Sequence, residues 1–224
     1  MKTQIEDVER SCLRLVVRAI QDYYSEAIKI FQEETDLPSD IAEDITREAL
    51  DALGISRIPI RLYGKVDYKK AAFVFLPDRE IEVALMVDSK AEKDGNSATI
   101  QMSQTSMEVH QHRGGEIVHV KGKLPPFIER SDIKMQTITI TIKYIYDEKN
   151  SVLSLKNIKI ACIPNGLLQD DYNPNEDDNI WLAGRNAPTL GEEFRVRLSY
   201  AKLKKKAGWR VVELQNINKG NYMY

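Results

Sequence analysis

Apolar residues recur at spacings of three and four from the start of the chain: Ile5, Val8, Cys12, Leu15, Val16, Ala19, Ile20, Tyr23, Ala27, Ile30 and Phe31. That is the period of one buried helical face, and it predicts a single long amphipathic helix over residues 5 to 33. Thr35 to Pro38 interrupts the pattern. Ser39 or Asp40 can then cap a second helix running to about Leu53, with Gly54 as its stop. On this helix Ile41, Ala42, Ile45, Ala49, Ala52 and Leu53 make the apolar face. Glu43 and Glu48 fall on its borders, while Asp44, Arg47 and Asp51 point away from it.

From Ile58 the period drops to two, predicting strands near 58–66, 71–76, 80–89, 116–121, 136–146 and 152–163. The last two flank a turn at Asp147 to Ser151 and predict a long antiparallel hairpin. Ser97 to Met107 is polar and reads as a short helix. Asn165 to Thr189, rich in Asn, Asp, Pro and Gly, reads as an irregular segment of the kind that carries binding function. Residues 190 to 206 return to helical spacing, and Trp209 to Leu214 supplies a final strand. Helices followed by strands of this kind predict an α/β fold, a mixed central β-sheet flanked by helices. With no linker in the pattern, residues 1–224 read as one domain.

Composition narrows the class only slightly. A content of 42% hydrophobic and 29% charged residues is that of an ordinary water-soluble protein. No apolar run approaches the ~20 residues of a membrane span, and the start, MKTQIEDVER, is too acidic for a signal peptide, so a cytoplasmic protein is expected. Cys12 and Cys162 sit in apolar patterns and read as reduced core residues. A net charge of -2 does not advertise a polyanion partner. Such a partner would have to meet a local basic cleft, and Arg57, Arg61, Lys65, Lys69 and Lys70 do cluster around Asp67. Lys202, Lys204, Lys205 and Lys206 read as a solvated helix end favoured by the helix dipole.

The candidate chemistry lies at the end of the apolar run IEVALMV, which delivers Asp88-Ser89-Lys90; Asp67 stands upstream at the end of another strand-like segment. Two carboxylates from neighbouring strands can hold a hard divalent cation, and a lysine two residues beyond the second lies on the same side of its strand. A cation there would neutralise a phosphate and acidify water, with the lysine orienting the attacking water. The triplet alone is weak evidence, because Asp-x-Lys also occurs at Asp67-Lys69, Asp132-Lys134 and Asp147-Lys149. Context separates Asp88-Lys90, since two charges at the edge of a core are expensive unless paired or metal-bound. The competing reading is a strand that simply runs out into solvent. His110, His112 and His119 surround Gly114-Gly115 in a hairpin or loop; a His-x-His pair can chelate a transition metal, but without a Cys or carboxylate partner at familiar spacing an exposed loop is the preferred reading. Phosphate-binding glycine loops and nucleophile elbows are absent from the sequence.

Taken in order, LRLVVRAIQDYYSEAIKIF, IAEDITREAL, GKVDYKK, ALMVDSKAEK with SATIQMSQTSM, ACIPNG, DDYNPN, AGRNAPTLGE and WRVVEL resemble type II restriction endonucleases of the SfiI and SwaI kind, with the SwaI side closer. The resemblance runs from about residue 13 to 214. It implies a PD-(D/E)xK nuclease that cuts both DNA strands with Mg2+, leaving 5′-phosphate and 3′-hydroxyl ends. Asp67 and Asp88 would then be metal ligands, with the Ser89 backbone carbonyl as a third, and Lys90 the catalytic lysine. Glu43 best matches the helical acid that often completes such sites, with Glu48 second. Val66 stands where the family label has proline. A SwaI-like target would be an A/T-rich palindrome of eight base pairs cut by a homodimer, with a tetramer as the alternative. A cognate DNA methyltransferase would accompany the enzyme.

Specificity must come from side chains that reach base edges. Gln101, Ser103 and Gln104 after the active strand, and Asn165, Gln169, Arg185 and Asn186 in the late loop, have the right chemistry, although loop amides as often cap backbone. Lys65, Lys69, Lys70 and Lys93 suit phosphate contacts. Tyr172 and Trp181 read as packing residues. Two other readings share parts of this pattern: a structure-specific repair or recombination nuclease on the same scaffold, and a non-catalytic DNA-binding module.

Overall fold

A computed structural model describes residues 2–54, 72–75, 82–130, 133–182 and 194–215. The long N-terminal helix is two helices, α1 (Lys2–Asp22) and α2 (Tyr24–Glu33), because Tyr23 departs from helical geometry at φ -91 and ψ 0. The Tyr23 hydroxyl donates to Glu48 Oε2 at 2.5 Å, tying this break to α3 (Pro38–Asp51). Helix α3 starts earlier than the Ser39 or Asp40 cap predicts. Leu37 is its N-cap and Pro38 its first residue, where the missing N–H of proline removes nothing from the helix.

The central sheet has the order β1-β2-β7-β8-β11, formed by Ala72–Phe75, Glu82–Glu92, Ile133–Lys149, Val152–Ile163 and Val211–Gln215; β6 (Phe127–Arg130) pairs with the start of β7. The β2–β7 pair is parallel and runs in one unbroken register from Glu82↔Met135 to Glu92↔Ile145, whereas β7–β8 is antiparallel. The predicted hairpin therefore exists, and its strands continue to a two-residue turn. Asn150 and Ser151 both take positive φ, 52° and 63°, the backbone of the turn whose twist matches the flanking strands.

Two predicted helices are corrected. Ser97 to Met107 begins as strand β3 (Ser97–Gln101), whose alternation buries Ala98 and Ile100, and only Met102–Gln104 forms a 3-10 turn. Residues 190 to 206 contain strand β10 (Arg195–Ser199) before a short helix, α5 (Tyr200–Lys206), which Ser199 caps by accepting the Lys202 N–H. The three- and four-residue spacing of apolar side chains there is the alternation of Val196 and Leu198 running into Tyr200 and Leu203. Strands β3, β10 and β9 (Trp181–Leu182) form a second sheet, and β4 (Val109–Arg113) pairs with β5 (Glu116–Val120) as a hairpin.

The layers follow from these faces. Val83, Leu85 and Val87 of β2 pack with Ile138, Ile140 and Ile142 of β7 against Val16, Phe31, Ile45 and Leu50 of α1, α2 and α3. On the other side, Ala161 and Ile163 pack against Ile100, Trp181, Val196 and Leu198 of the small sheet. The mixed central sheet is thus covered by the long helices on one face only; β-structure and the short helices α4 (Gln169–Tyr172) and α5 accompany the other. Trp181 and Tyr172 are packing residues, as expected. No helix among the described residues is long and apolar enough to cross a membrane.

One charged pair lies wholly inside. Arg210, after α5, and Glu9, on α1, are both fully buried, with Arg210 Nη2 2.5 Å from Glu9 Oε2. The other Glu9 oxygen accepts the Asn165 N–H at 2.7 Å, and the guanidinium stacks on the Tyr172 and Trp209 rings. Removing one partner of such a pair strands the other charge, so Arg210→Met should lower the unfolding free energy by about 3–5 kcal/mol in urea. The double variant Glu9→Met with Arg210→Met should recover most of that loss.

Burial pushes the Cys12 thiol up to about 12, with the Glu9 charge adding to it, and raises Cys162 well above the ordinary thiol range. Neither cysteine is in a disulfide. A colorimetric disulfide reagent should therefore label neither thiol in the native protein at pH 8, and both after denaturation.

Candidate active site

Strand alternation builds the site. Along β2, Asp88, Lys90 and Glu92 share the face opposite the helices, while Val87, Ser89 and Ala91 face the helical side. Asp88 is buried, at 5% exposure, and Lys90 Nζ stands 3.1 Å from each of its carboxylate oxygens. Lys90 hydrogen-bonds to Oδ1 and makes an ionic contact with the buried Oδ2, which accepts no well-aligned hydrogen bond from the described residues. A buried carboxylate is costly unless it is paired or bound to a cation, and Lys90 is the positive group that meets Asp88 here.

The Ser89 side chain points to the other layer, as its place between Asp88 and Lys90 requires. Its Oγ donates to Thr46 Oγ1 at 2.7 Å, and Thr46 shares a 2.8 Å hydrogen bond with the Tyr144 hydroxyl. This chain of hydroxyls fastens α3 to β2 and β7 directly behind the Asp88–Lys90 segment. Glu43 is half-buried on α3, three residues before Thr46. Glu48 is exposed and engaged with Tyr23. Asp67, Lys65, Lys69, Lys70, Arg185 and Asn186 lie outside the described residues.

Two further charged groups belong to the same surface. Lys143 is paired with Lys90 across the parallel ladder, and its side chain is buried; it forms a short ion pair with Glu92 and donates to the Ser97 carbonyl at 2.7 Å. Beside them opens a pocket of about 240 Å³ lined by Lys90, Glu92, Thr99, Gln101 and Arg195. Gln101 and Arg195 are direct cross-strand partners. Glu92 was accessible to sequence reasoning, because the alternation that joins Asp88 to Lys90 continues to it. Arg195 was hidden by the helical reading of its segment.

Three expected base readers have internal roles instead. Asn165 is buried, its amide donating to the Pro126 and Thr137 carbonyls and its oxygen accepting the Leu167 N–H. Gln169 accepts the Glu108 N–H at 3.0 Å and donates to the Glu108 and Asn173 carbonyls. Gln104 is buried and accepts the Gln101 N–H at 2.7 Å, in a reciprocal cap that also uses the Gln101 side chain. These amides satisfy backbone groups that would otherwise be stranded, so no free edge is left on Asn165 or Gln169 for a base. Ser103 is half-buried beside this cap. Lys93 is exposed and paired with Glu148 at 2.8 Å.

A family described as the type II restriction enzyme SfiI matches residues 5–214. The SfiI enzyme of Streptomyces fimbriatus is 32% identical over 226 aligned positions, covering 94% of this chain and 84% of that protein. The crystal structure of tetrameric SfiI bound to cognate DNA superposes with a TM-score of 0.83 at 30% identity, over 97% of this chain and 86% of that one. The restriction endonuclease BglI bound to its DNA recognition sequence shares the fold, with a TM-score of 0.73 at 18% identity, over 94% of this chain and 90% of that one. The mixed sheet and its helical layer are thus those of restriction endonucleases, and the chain belongs to the SfiI family of type II restriction enzymes.

Proposed function

We propose that this restriction endonuclease is a PD-(D/E)xK nuclease whose single domain, residues 1–224, hydrolyses both strands of DNA with Mg2+ to leave 5′-phosphate and 3′-hydroxyl ends. The observation that carries the reading is the buried Asp88 carboxylate held against the Lys90 ammonium on one strand face. Oxygen donors of this kind suit a hard cation, and Asp67, Asp88 and the Ser89 carbonyl are the proposed ligands. When bound, Mg2+ would supply neutralisation of phosphate charge and acidify a coordinated water. Lys90 orients the attacking water toward the phosphorus, its ammonium restrained by Asp88. Glu43, on α3, is the proposed additional acid.

The substrate reading rests on the chemistry of residues singled out in the sequence. Lys65, Lys69, Lys70 and Lys93 are assigned to phosphates, and Gln101, Ser103, Arg185 and Asn186 remain the proposed base readers among the residues singled out by sequence. From the sequence resemblance to the SwaI kind we propose an A/T-rich palindrome of eight base pairs and a homodimer whose twofold axis matches it. Tetrameric SfiI makes four subunits the alternative. A methyltransferase of the same specificity would protect host DNA in the cytoplasm.

Incubating phage DNA with the protein and Mg2+ should give discrete bands, and sequencing the ends should return one eight-base-pair site. A smear, or cutting confined to flaps and junctions, would instead select a structure-specific nuclease. Asp88→Asn and Lys90→Ala should each slow cleavage by about 100-fold or more, the scale of losing one preorganised electrostatic contact. Near wild-type rates in either variant would overturn the assignment. Sedimentation velocity on the DNA complex separates two subunits from four.

A further inference from the structure

The β4–β5 hairpin and the residue before it bring together side chains of metal-ligating chemistry, apart from the Asp88–Lys90 surface. Strand pairing sets His110 directly opposite His119, and their rings stack with centroids 4.3 Å apart. Glu108, two residues before His110 and therefore on the same face, places Oε1 3.3 Å from His110 Nε2 and 3.7 Å from His119 Nδ1. One ligand atom from each of the three lies within 4.8 Å of the other two. Four ligands at ~2.0–2.1 Å around a tetrahedral zinc ion stand ~3.3–3.4 Å from one another. Two of the three edges here are already near that length.

The arrangement fits a cation better than it fits a simple surface ion pair. Two imidazoles and a carboxylate are three of the four ligands a borderline-soft ion takes. The His110 side chain is only 14% exposed, and its Nε2 faces the Glu108 carboxylate. The main chain that carries the carboxylate is clamped. Glu108 N–H donates to Gln169 Oε1, and the Glu108 carbonyl accepts from both Gln169 and Asn173. Such support behind a ligand limits the reorganisation that binding requires.

We infer that Glu108, His110 and His119 form a zinc site with an open fourth position for water, which staples β4 to β5 and, through Glu108, to the Gln169–Asn173 turn. Imidazole ligands favour Zn2+ over Mg2+, so this site and the nuclease centre differ in the ion they take.

Titration of the metal-stripped full chain with Zn2+ against a chromogenic chelator tests the assignment. The wild type should bind one ion per chain, and zinc should raise its thermal midpoint. His119→Ala, a change on a half-exposed strand position, should weaken binding by about 100-fold or more, since loss of a ligand exceeds the ~10–100-fold cost of losing an outer partner. Gln169→Ala should weaken it by about 10-fold. Asp88→Ala should leave it unchanged. Co2+ should give the strong visible bands of a tetrahedral ion in the wild type and weak ones in His119→Ala. Equal affinity in wild type and His119→Ala, or loss of binding in Asp88→Ala, would overturn the site. If His119→Ala melts early without zinc, His119→Gln, which keeps size and polarity, provides the same comparison.

Discussion

The structure depends on the parallel pairing of β2 with β7. Eleven successive register pairs leave β2 no freedom to slip, and a shift of one residue would exchange Asp88 and Lys90 with Val87 and Ser89. That exchange would push two charges into the helical core and two apolar or small side chains toward solvent. The hydrophobic cost of the wrong register is therefore the force that holds the acid and the lysine on the reactive face. Parallel pairing also requires a long crossover, and the chain between β2 and β7 uses that length to build β3 through β6.

Behind the reactive face the sheet is not uniformly apolar. Ser89, Thr46 and Tyr144 pass a hydrogen-bonded line through the layer between strand and helix, and burial raises the Tyr144 hydroxyl pKa far above its ordinary value. A buried polar line with every hydroxyl paired gives one helix position where apolar packing alone would tolerate several. Glu43 inherits its placement from this line, being carried on the same helix. In front of the sheet, Lys143 and Glu92 do a similar job, joining β7 to the end of β2 and to the Ser97 carbonyl at the start of β3.

Much of this was legible in the sequence because it is written in periods. The helical spacing from Ile5 to Phe31, the alternation around Asp88 and the hairpin flanking Asn150 each encode one buried face, and the structure follows them. Boundaries such as Tyr23 were hidden because a single change in ψ leaves the hydrophobic spacing intact. Strand β10 was hidden for a different reason: five residues of alternation followed by seven helical ones yield mixed spacings that fit a helix as well as a strand. The internal bonding of Asn165, Gln169 and Gln104 is not legible in the sequence, because a loop amide that binds a partner and one that caps its own backbone are the same residue there. Only the positions of Glu108, Pro126 and Thr137 decide between them. The meeting of His110 with His119, rather than His110 with His112, likewise needs the strand register.

The Glu9–Arg210 pair joins positions 201 residues apart. On a chain emerging from the ribosome, α1 and most of the strands are exposed long before Arg210 exists, and the helix must hold a carboxylate at the centre of its future core without a counter-charge. Closure over so long a span is slow and entropically costly, and it comes after local elements have formed. The buried pair therefore cannot form until Arg210 has been made. Translation itself sets the earliest moment at which the nuclease can become a finished, protease-resistant protein.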